Sequence, residues 1–376
     1  MLCTSRFFPT LRYLAELTIT RSPIDVLWNY LLEDPTTPNH IAFRKAFHAV
    51  IDESEDLKKR GFSPLHLIVF GLSKIPLDMA LEYDTTNIDA KCSLGRTPLC
   101  WAALRQDANL VQILVDKGAA LDSADRRGQN ALHFAAETGA LASLRSILER
   151  ADMQGCLRRA THGSDGAACG KCLYGGLGDG VSAFCRDLVE ARDSKGRTPL
   201  HFATRTGKFE HAQLLLLYHA EVDSPDSALG RTPLLIAIYW NHYSIIKLLL
   251  DCGAQTNVVD NNGLTVLHYA AKFGDADTLS ILSSVSFNGI SPEARDAEGL
   301  TPSDTFRQIR PDFLKEDAST FQTAELRFLR LMASTKRALS LDTVSTSPDS
   351  EVFHDAFSSW ANSPTASVGS IADLLV

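Results

Sequence analysis

The stretch GRTPLHFAT, Gly196 to Thr204, decides the reading of this chain because it recurs. GRTPLLIAI at Gly230 and GLTVLHYAA at Gly263 follow it, and GQNALHFAA at Gly128 and GRTPLCWAA at Gly95 precede it. Weaker copies close the series, GFSPLHL at Gly61 and GLTPSDT at Gly299. Successive glycines are 34, 33, 68, 34, 33 and 36 residues apart. Five of the six intervals fit a unit of about 33 residues, and the sixth holds one unit plus an insertion of about 35. Self-similarity at that period marks a solenoid, in which each unit packs only on its neighbours. The 376 residues therefore read as one elongated stack with flanking segments, not as two or three separate cores.

Each phrase has a mechanical reading. The glycine follows a polar turn such as Asp193-Ser194-Lys195 or Asp260-Asn261-Asn262 and supplies the positive φ of a tight turn. Thr97, Thr198, Thr232 and Thr265 stand where a helix N-cap is wanted, and Pro98, Pro199 and Pro233 stand at the first helical position. Small pairs, Ala102-Ala103, Ala135-Ala136 and Ala270-Ala271, leave a flat face for the next helix. A second apolar helix follows in each unit, as in Leu214 to Leu217 and Leu248 to Leu250. This combination closely resembles the ankyrin repeat, a β-turn and two helices carrying T-P-L-H-x-A-A. The resemblance spans about residues 61–305 and implies an all-α ankyrin-repeat solenoid of six to seven units. Leu235 and Cys100 depart from it by replacing the motif histidine, and Ala131 and Val266 by replacing its proline.

The flanks read as caps. Residues 1–60 carry two apolar-periodic stretches expected to form an N-terminal helical cap, and 306–339 are expected to cover the other end with helices. From Ser340 to Val376, 12 of 37 residues are Ser or Thr, five are acidic and none is Lys or Arg, which predicts a disordered acidic tail. Ser347 and Ser363 precede proline as candidate phosphorylation sites, and the tail's acidic and aromatic residues suggest an autoinhibitory segment. The insertion, residues 153–187, holds Cys156, Cys169, Cys172 and Cys185 with 12, 2 and 12 residues between them, and eight glycines from Gly155 to Gly180. The CGKC turn has the form of a zinc knuckle, with Cys156 and Cys185 as candidate further ligands. No cofactor is otherwise expected. A second CxxC or an HxxxH at finger spacing is absent, so the alternative is a thiol-bearing surface loop.

Composition and motifs narrow the function. No run of about 18 apolar residues exists, so the chain is expected to be soluble and not to engage a membrane. The net charge of −8 argues against a protein that coats nucleic acid, and eight cysteines fit free thiols of the cytoplasm or nucleus. GxSxG, Walker, HExxH and Rossmann signatures are absent, and no catalytic residues are assigned. His66, His133, His201 and His268 recur once per unit, about 10 Å apart, too far to share an ion. The resemblance implies that they hydrogen-bond turn backbone. By register from each glycine, a concave binding strip is expected to comprise Arg96, Arg105, Arg126, Arg127, Lys195, Arg197, Arg205, Arg231, Tyr239, Trp240, Lys272 and Phe273. Arg, Tyr and Trp are hot-spot types, and an acidic or phosphorylated peptide matches them. The function expected is a non-catalytic adaptor or scaffold for a partner protein. The alternative is a regulatory or nucleic-acid-associated factor with a zinc-binding insertion.

Overall fold

The computed structural model describes residues 60–71, 76–83, 87–138, 140–162, 181–285, 289–308 and 318–342. The expected N-terminal cap over 1–59, the CGKC turn and the tail from 343 lie outside the described residues. In chain order the helices are α1 (Pro64–Val69), α2 (Leu77–Tyr83), α3 (Pro98–Leu104), α4 (Ala108–Asp116), α5 (Ala131–Thr138), α6 (Leu141–His162) and α7 (Ala183–Val189). There follow α8 (Pro199–Thr206), α9 (Phe209–Leu217), α10 (Pro233–Tyr239), α11 (Tyr243–Asp251), α12 (Val266–Phe273), α13 (Ala276–Ser283), α14 (Pro302–Gln308) and α15 (Ala318–Asp342). Among the described residues there is no strand, only an isolated antiparallel bridge between Val259 and Thr265.

The recurring phrase starts the inner helix of every unit. Thr97, Thr198, Thr232 and Thr265 hold the extended N-cap conformation, and proline opens α1, α3, α8 and α10, where the first N–H needs no partner. The inner helices α1, α3, α5, α8, α10, α12 and α14 touch in that order, and their alanine pairs are fully buried between them. Outer helices α4, α9 and α11 bury Leu114, Leu215 and Leu249 against the inner layer. Gly196 shows why the turn needs glycine. Its φ is +70°, and a Cβ there would stand 2.6 Å from the backbone nitrogen of Ser227 in the next turn.

Two ladders tie unit to unit. At the turn tips, one backbone bond joins each pair of neighbours, from Ser93 N–H to Arg60 C=O (2.7 Å) to Ala297 N–H to Asn262 C=O (2.9 Å). Beneath them run the histidines. Nδ1 of His201 accepts from the Thr198 backbone N–H at 3.1 Å, which leaves Nε2 as the protonated nitrogen, donating to the Arg231 carbonyl of the next unit at 3.2 Å. His66, His133 and His268 place Nε2 3.0, 3.1 and 3.0 Å from the carbonyls of Arg96, Arg197 and Leu300. Where Leu235 replaces the histidine this link is lost, and the Thr232 hydroxyl is buried without a hydrogen-bond partner. Cys100 partly substitutes, its thiol taking a 3.4 Å bond from the Thr97 hydroxyl.

The insertion does not interrupt the inner layer, because α5 packs directly on α8 and His133 reaches Arg197 across it. It enlarges the outer layer. Helix α6 runs on past residue 153 to His162, and the chain returns through α7, whose Leu188 and Val189 are buried against the stack. Gly155 permits that return. A Cβ on it would fall 2.1 Å from Ser182 Oγ and 2.3 Å from Ser182 Cβ, at the N-cap of α7. Gly155→Val is therefore expected to undock α7 and lower stability by about 1–3 kcal/mol, read as a fall in melting temperature. An unchanged melting curve would refute this packing.

At the far end α15 covers the last unit, packing along α13 with Ala324, Phe328, Leu331, Met332 and Thr335 buried. Phe328 stacks on Phe306 of α14 with centroids 4.5 Å apart. The helix continues to Asp342, past the Ser340 boundary that composition suggests. Leu326 and Leu329 face outward.

Candidate functional site

The strip begins from a residue type that register alone did not pick out, an aspartate three or four residues before the turn glycine: Asp125, Asp193, Asp226 and Asp260, all buried, and the half-buried Asp296. Asp193 Oδ1 accepts the backbone N–H groups of Lys195 and Arg197, both at 2.9 Å, and Asp125, Asp260 and Asp296 repeat this two-and-four pattern. These bonds hold the hairpin tip in shape. The second oxygen then captures a side chain. Arg197 Nε and Nη2 fork onto Asp193 Oδ2 at 3.0 and 2.6 Å, Arg231 Nε reaches Asp226 Oδ2 at 3.2 Å, and Arg96 Nε reaches Asp125 Oδ2 at 3.2 Å. Burial alone would raise the Asp193 carboxyl, but the hydrogen bonds from Arg197 and the backbone outweigh it and hold its pKa below the ordinary value.

Within the expected strip, the guanidinium groups of Arg96, Arg197 and Arg231 are paired with buried carboxylates. Arg96 also lies over Trp101 and Phe134, 5.0 and 4.6 Å from the centroids, and Arg197 lies 4.5 Å over Phe202. They roof the aromatic column of the inner helices. Arg205 pairs with the largely buried Glu137 and also lies 5.2 Å over Phe202. Burial raises the Glu137 carboxyl, and Arg205 opposes that rise. Arg105 is exposed but donates to the Val69 carbonyl of the preceding unit.

Other members of the strip stay open to solvent. Arg126, Arg127 and Lys195 stand exposed at successive turn tips, spaced by the backbone ladder from Arg126 N–H to Leu94 C=O and from Ser194 N–H to Arg127 C=O. At the C-terminal end of α10, Tyr239 and Trp240 are 37% and 52% exposed. Tyr239 lies 4.5 Å from Phe273 and 5.2 Å from Trp240, and Lys272 Nζ is 5.4 Å from the Phe273 ring. The patch is held in place from below. Asn241 Nδ2 donates to the Phe273 carbonyl at 2.9 Å, its Oδ1 accepts from Asp275 N–H at 3.0 Å, and Tyr243 OH binds the Asp275 carboxylate. The surface thus offers a fixed aromatic platform and a row of cationic tips.

Of the four candidate cysteine ligands, only Cys185 has its side chain among the described residues. Cys185 is wholly buried in α7, its thiol 3.7 Å from the Leu148 carbonyl it donates to, and burial pushes its pKa up to about 12. In this arrangement the Cys185 thiol is a neutral group facing the core. The side chain of Cys156 and all of Cys169 and Cys172 lie outside the described residues. No His, Cys, Asp and Glu grouping able to hold a metal occurs among the described residues, and no described helix is long and apolar enough to cross a membrane.

Comparison with known proteins agrees with this architecture. The family model for ankyrin repeats in three copies matches residues 76–155 and 216–296, and the single ankyrin-repeat model matches 195–227. The B-cell lymphoma 3 protein homolog of Mus musculus is 29% identical over 263 residues, which cover 69% of this chain and 51% of that protein. NF-kappa-B inhibitor delta of Mus musculus is 39% identical over 118 residues, 30% of this chain and 35% of that one. The chain spans about half the length of the two B-cell lymphoma 3 proteins it matches. The crystal structure of the Bcl-3 ankyrin repeat domain has a TM-score of 0.49 at 28% identity, covering 68% of this chain and 100% of that chain.

Proposed function

The chain is an ankyrin-repeat protein, and from that premise we propose that it is a non-catalytic adaptor that holds a partner protein on its concave face and turn tips. The observation that carries this reading is the aromatic platform of exposed Tyr239 and Trp240 backed by half-buried Phe273. Large rings left in water on a rigid scaffold lose little entropy when covered, and Tyr and Trp dominate measured interface energies. The cationic tips Arg126, Arg127 and Lys195 add a complementary field for acidic or phosphorylated residues of the ligand. Arg96, Arg197 and Arg231 serve instead as the struts that fix the tips. One similar protein is named as an inhibitor of NF-kappa-B, and a protein target of that kind, met in the cytoplasm or nucleus, is consistent with this surface.

Peptide libraries panned against the full chain test the reading. Ligands recovered should lose about 30-fold in affinity on Trp240→Ala, the effect of a roughly 2 kcal/mol hot spot. Charge reversal at Arg126, Arg127 and Lys195 should weaken the same ligands mainly at low salt. Ligands indifferent to both variants would place binding elsewhere and overturn the proposal.

A further inference from the structure

The terminal helix α15 has a second face that the stack does not use. Its buried side is Ala324, Phe328, Leu331, Met332 and Thr335. On the opposite side Leu326 and Leu329 are 64% and 53% exposed, followed one to three turns later by exposed Arg330, Ala333, Lys336 and Arg337. These positions fall on one stripe at i, i+3, i+4, i+7, i+10 and i+11. The stripe is apolar toward the start of the helix and basic toward its end. Lys336 makes only an exposed pair there, 2.9 Å from Glu293.

Beyond Asp342 the sequence supplies the reverse order. Asp349 and Glu351 come first, and Phe353, Phe357 and Trp360 follow at i, i+4 and i+7, with Asp355 between the first two rings, the spacing by which an amphipathic helix anchors in a groove. We propose that residues 351–361 dock as a helix antiparallel to the outward face of α15, within the same chain. The acidic beginning of the segment then meets Lys336 and Arg337, and Phe357 and Trp360 cover Leu329 and Leu326. The dimensions agree, since Leu326 to Lys336 spans about 15 Å of helix and Glu351 to Trp360 about 14 Å. Residues 343–350 form a connection long enough to reverse the chain from the end of α15, being able to reach about 25 Å. Acidic residues in the first turn also suit the N-terminal end of the docked helix. The outward face of α15 suits the segment better than the concave strip, where three arginines are already held by aspartates.

Hydrogen exchange on the full-length protein decides the matter. Amides of 353–361 should exchange at least about tenfold more slowly than an unstructured chain, and Leu326→Asp with Leu329→Asp should abolish that protection. Both leucines are exposed, so the doubly substituted array should melt at an unchanged temperature, which shows that it remains folded. Lys336→Glu with Arg337→Glu should reduce the protection in part, more at low salt than at high. Unprotected amides at 353–361, or protection indifferent to the leucine variant, would overturn the proposal. Protection that appears only as the measured mass doubles with concentration would assign the face to a second copy and overturn it as well.

Discussion

Acidification from pH 7 toward pH 4 is expected to unfold the stack cooperatively, because the histidine ladder is built from neutral rings. Burial lowers His66, His133 and His201 from 6.5 to about 4, against the opposing pull of the carbonyls they bind, and burial lowers His268 in the same direction. A group with a depressed folded-state value binds its proton preferentially in the unfolded chain. Its contribution is complete above the unfolded value near 6.5 and is lost as pH falls from there through about 4. Each such shift corresponds to about 3 kcal/mol when fully expressed, while a folded domain holds only about 5–15 kcal/mol in all. Two or three histidines therefore suffice to unfold the array before pH 4. His201→Leu, which copies the residue already present at 235, separates this from general acid effects. It should cost about 2 kcal/mol at pH 7.5 by removing the bonds to Thr198 and Arg231, and roughly nothing at pH 5, where the wild-type histidine has lost most of its advantage. Denaturant melts at the two values provide the check, and an equal penalty at both would defeat the mechanism.

The array was legible in the sequence because its determinants are local. A turn glycine, an N-cap threonine, a proline at the first helical position and a small pair each act within a few residues, and their recurrence multiplies a weak signal. The histidine role followed from the resemblance. The strip was less legible. Arg96, Arg197 and Arg231 were placed correctly beside their turns, but where each guanidinium goes depends on an acid elsewhere. For Arg197 and Arg231 that acid is Asp193 or Asp226 of the same turn. For Arg96 it is Asp125 of the next, since Cys92 occupies the corresponding place in its own turn. The signal existed, since Asp125, Asp193, Asp260 and Asp296 all stand three residues before a glycine. The path of the insertion was not legible, because α6 carries its outer-helix pattern into a segment whose glycine and cysteine content suggested an independent loop. Gly155 gained its meaning only when Ser182 came down upon it.

Asp193→Ala is expected to be among the most damaging single changes in the chain, costing about 3–5 kcal/mol, because it leaves a cation largely removed from water with no counter-charge. The carboxylate holds Lys195 N–H and Arg197 N–H at 2.9 Å, the Arg197 fork at 3.0 and 2.6 Å, and Gln129 Nε2 at 3.3 Å. With only 1% of the Asp193 side chain and 18% of the Arg197 side chain exposed, solvent cannot replace these bonds. Arg197→Ala should cost less, about 1–2 kcal/mol, since Asp193 keeps both backbone donors and Gln129. Their interaction should appear in a double-mutant cycle as a coupling of about 2 kcal/mol, with the double variant more stable than Asp193→Ala alone. Additive effects would mean that the fork contributes nothing to the fold. The pH windows also differ. The depressed Asp193 value places its contribution above the ordinary carboxylate range and removes it only as pH falls through its lowered pKa. At pH 5 the histidine contribution is thus largely gone while the Asp193 contribution persists, and the cycle measured there should retain its full coupling. Because Lys195 sits on the turn that Asp193 shapes, the conservative variant Asp193→Asn connects this to binding. It keeps an acceptor for the backbone N–H groups, so the tip should hold its place while the Arg197 pair is weakened. A ligand that uses the Lys195 tip should then bind Asp193→Asn nearly normally despite its lowered stability, whereas a ligand lost in parallel with stability would show that Arg197 itself must be held for recognition.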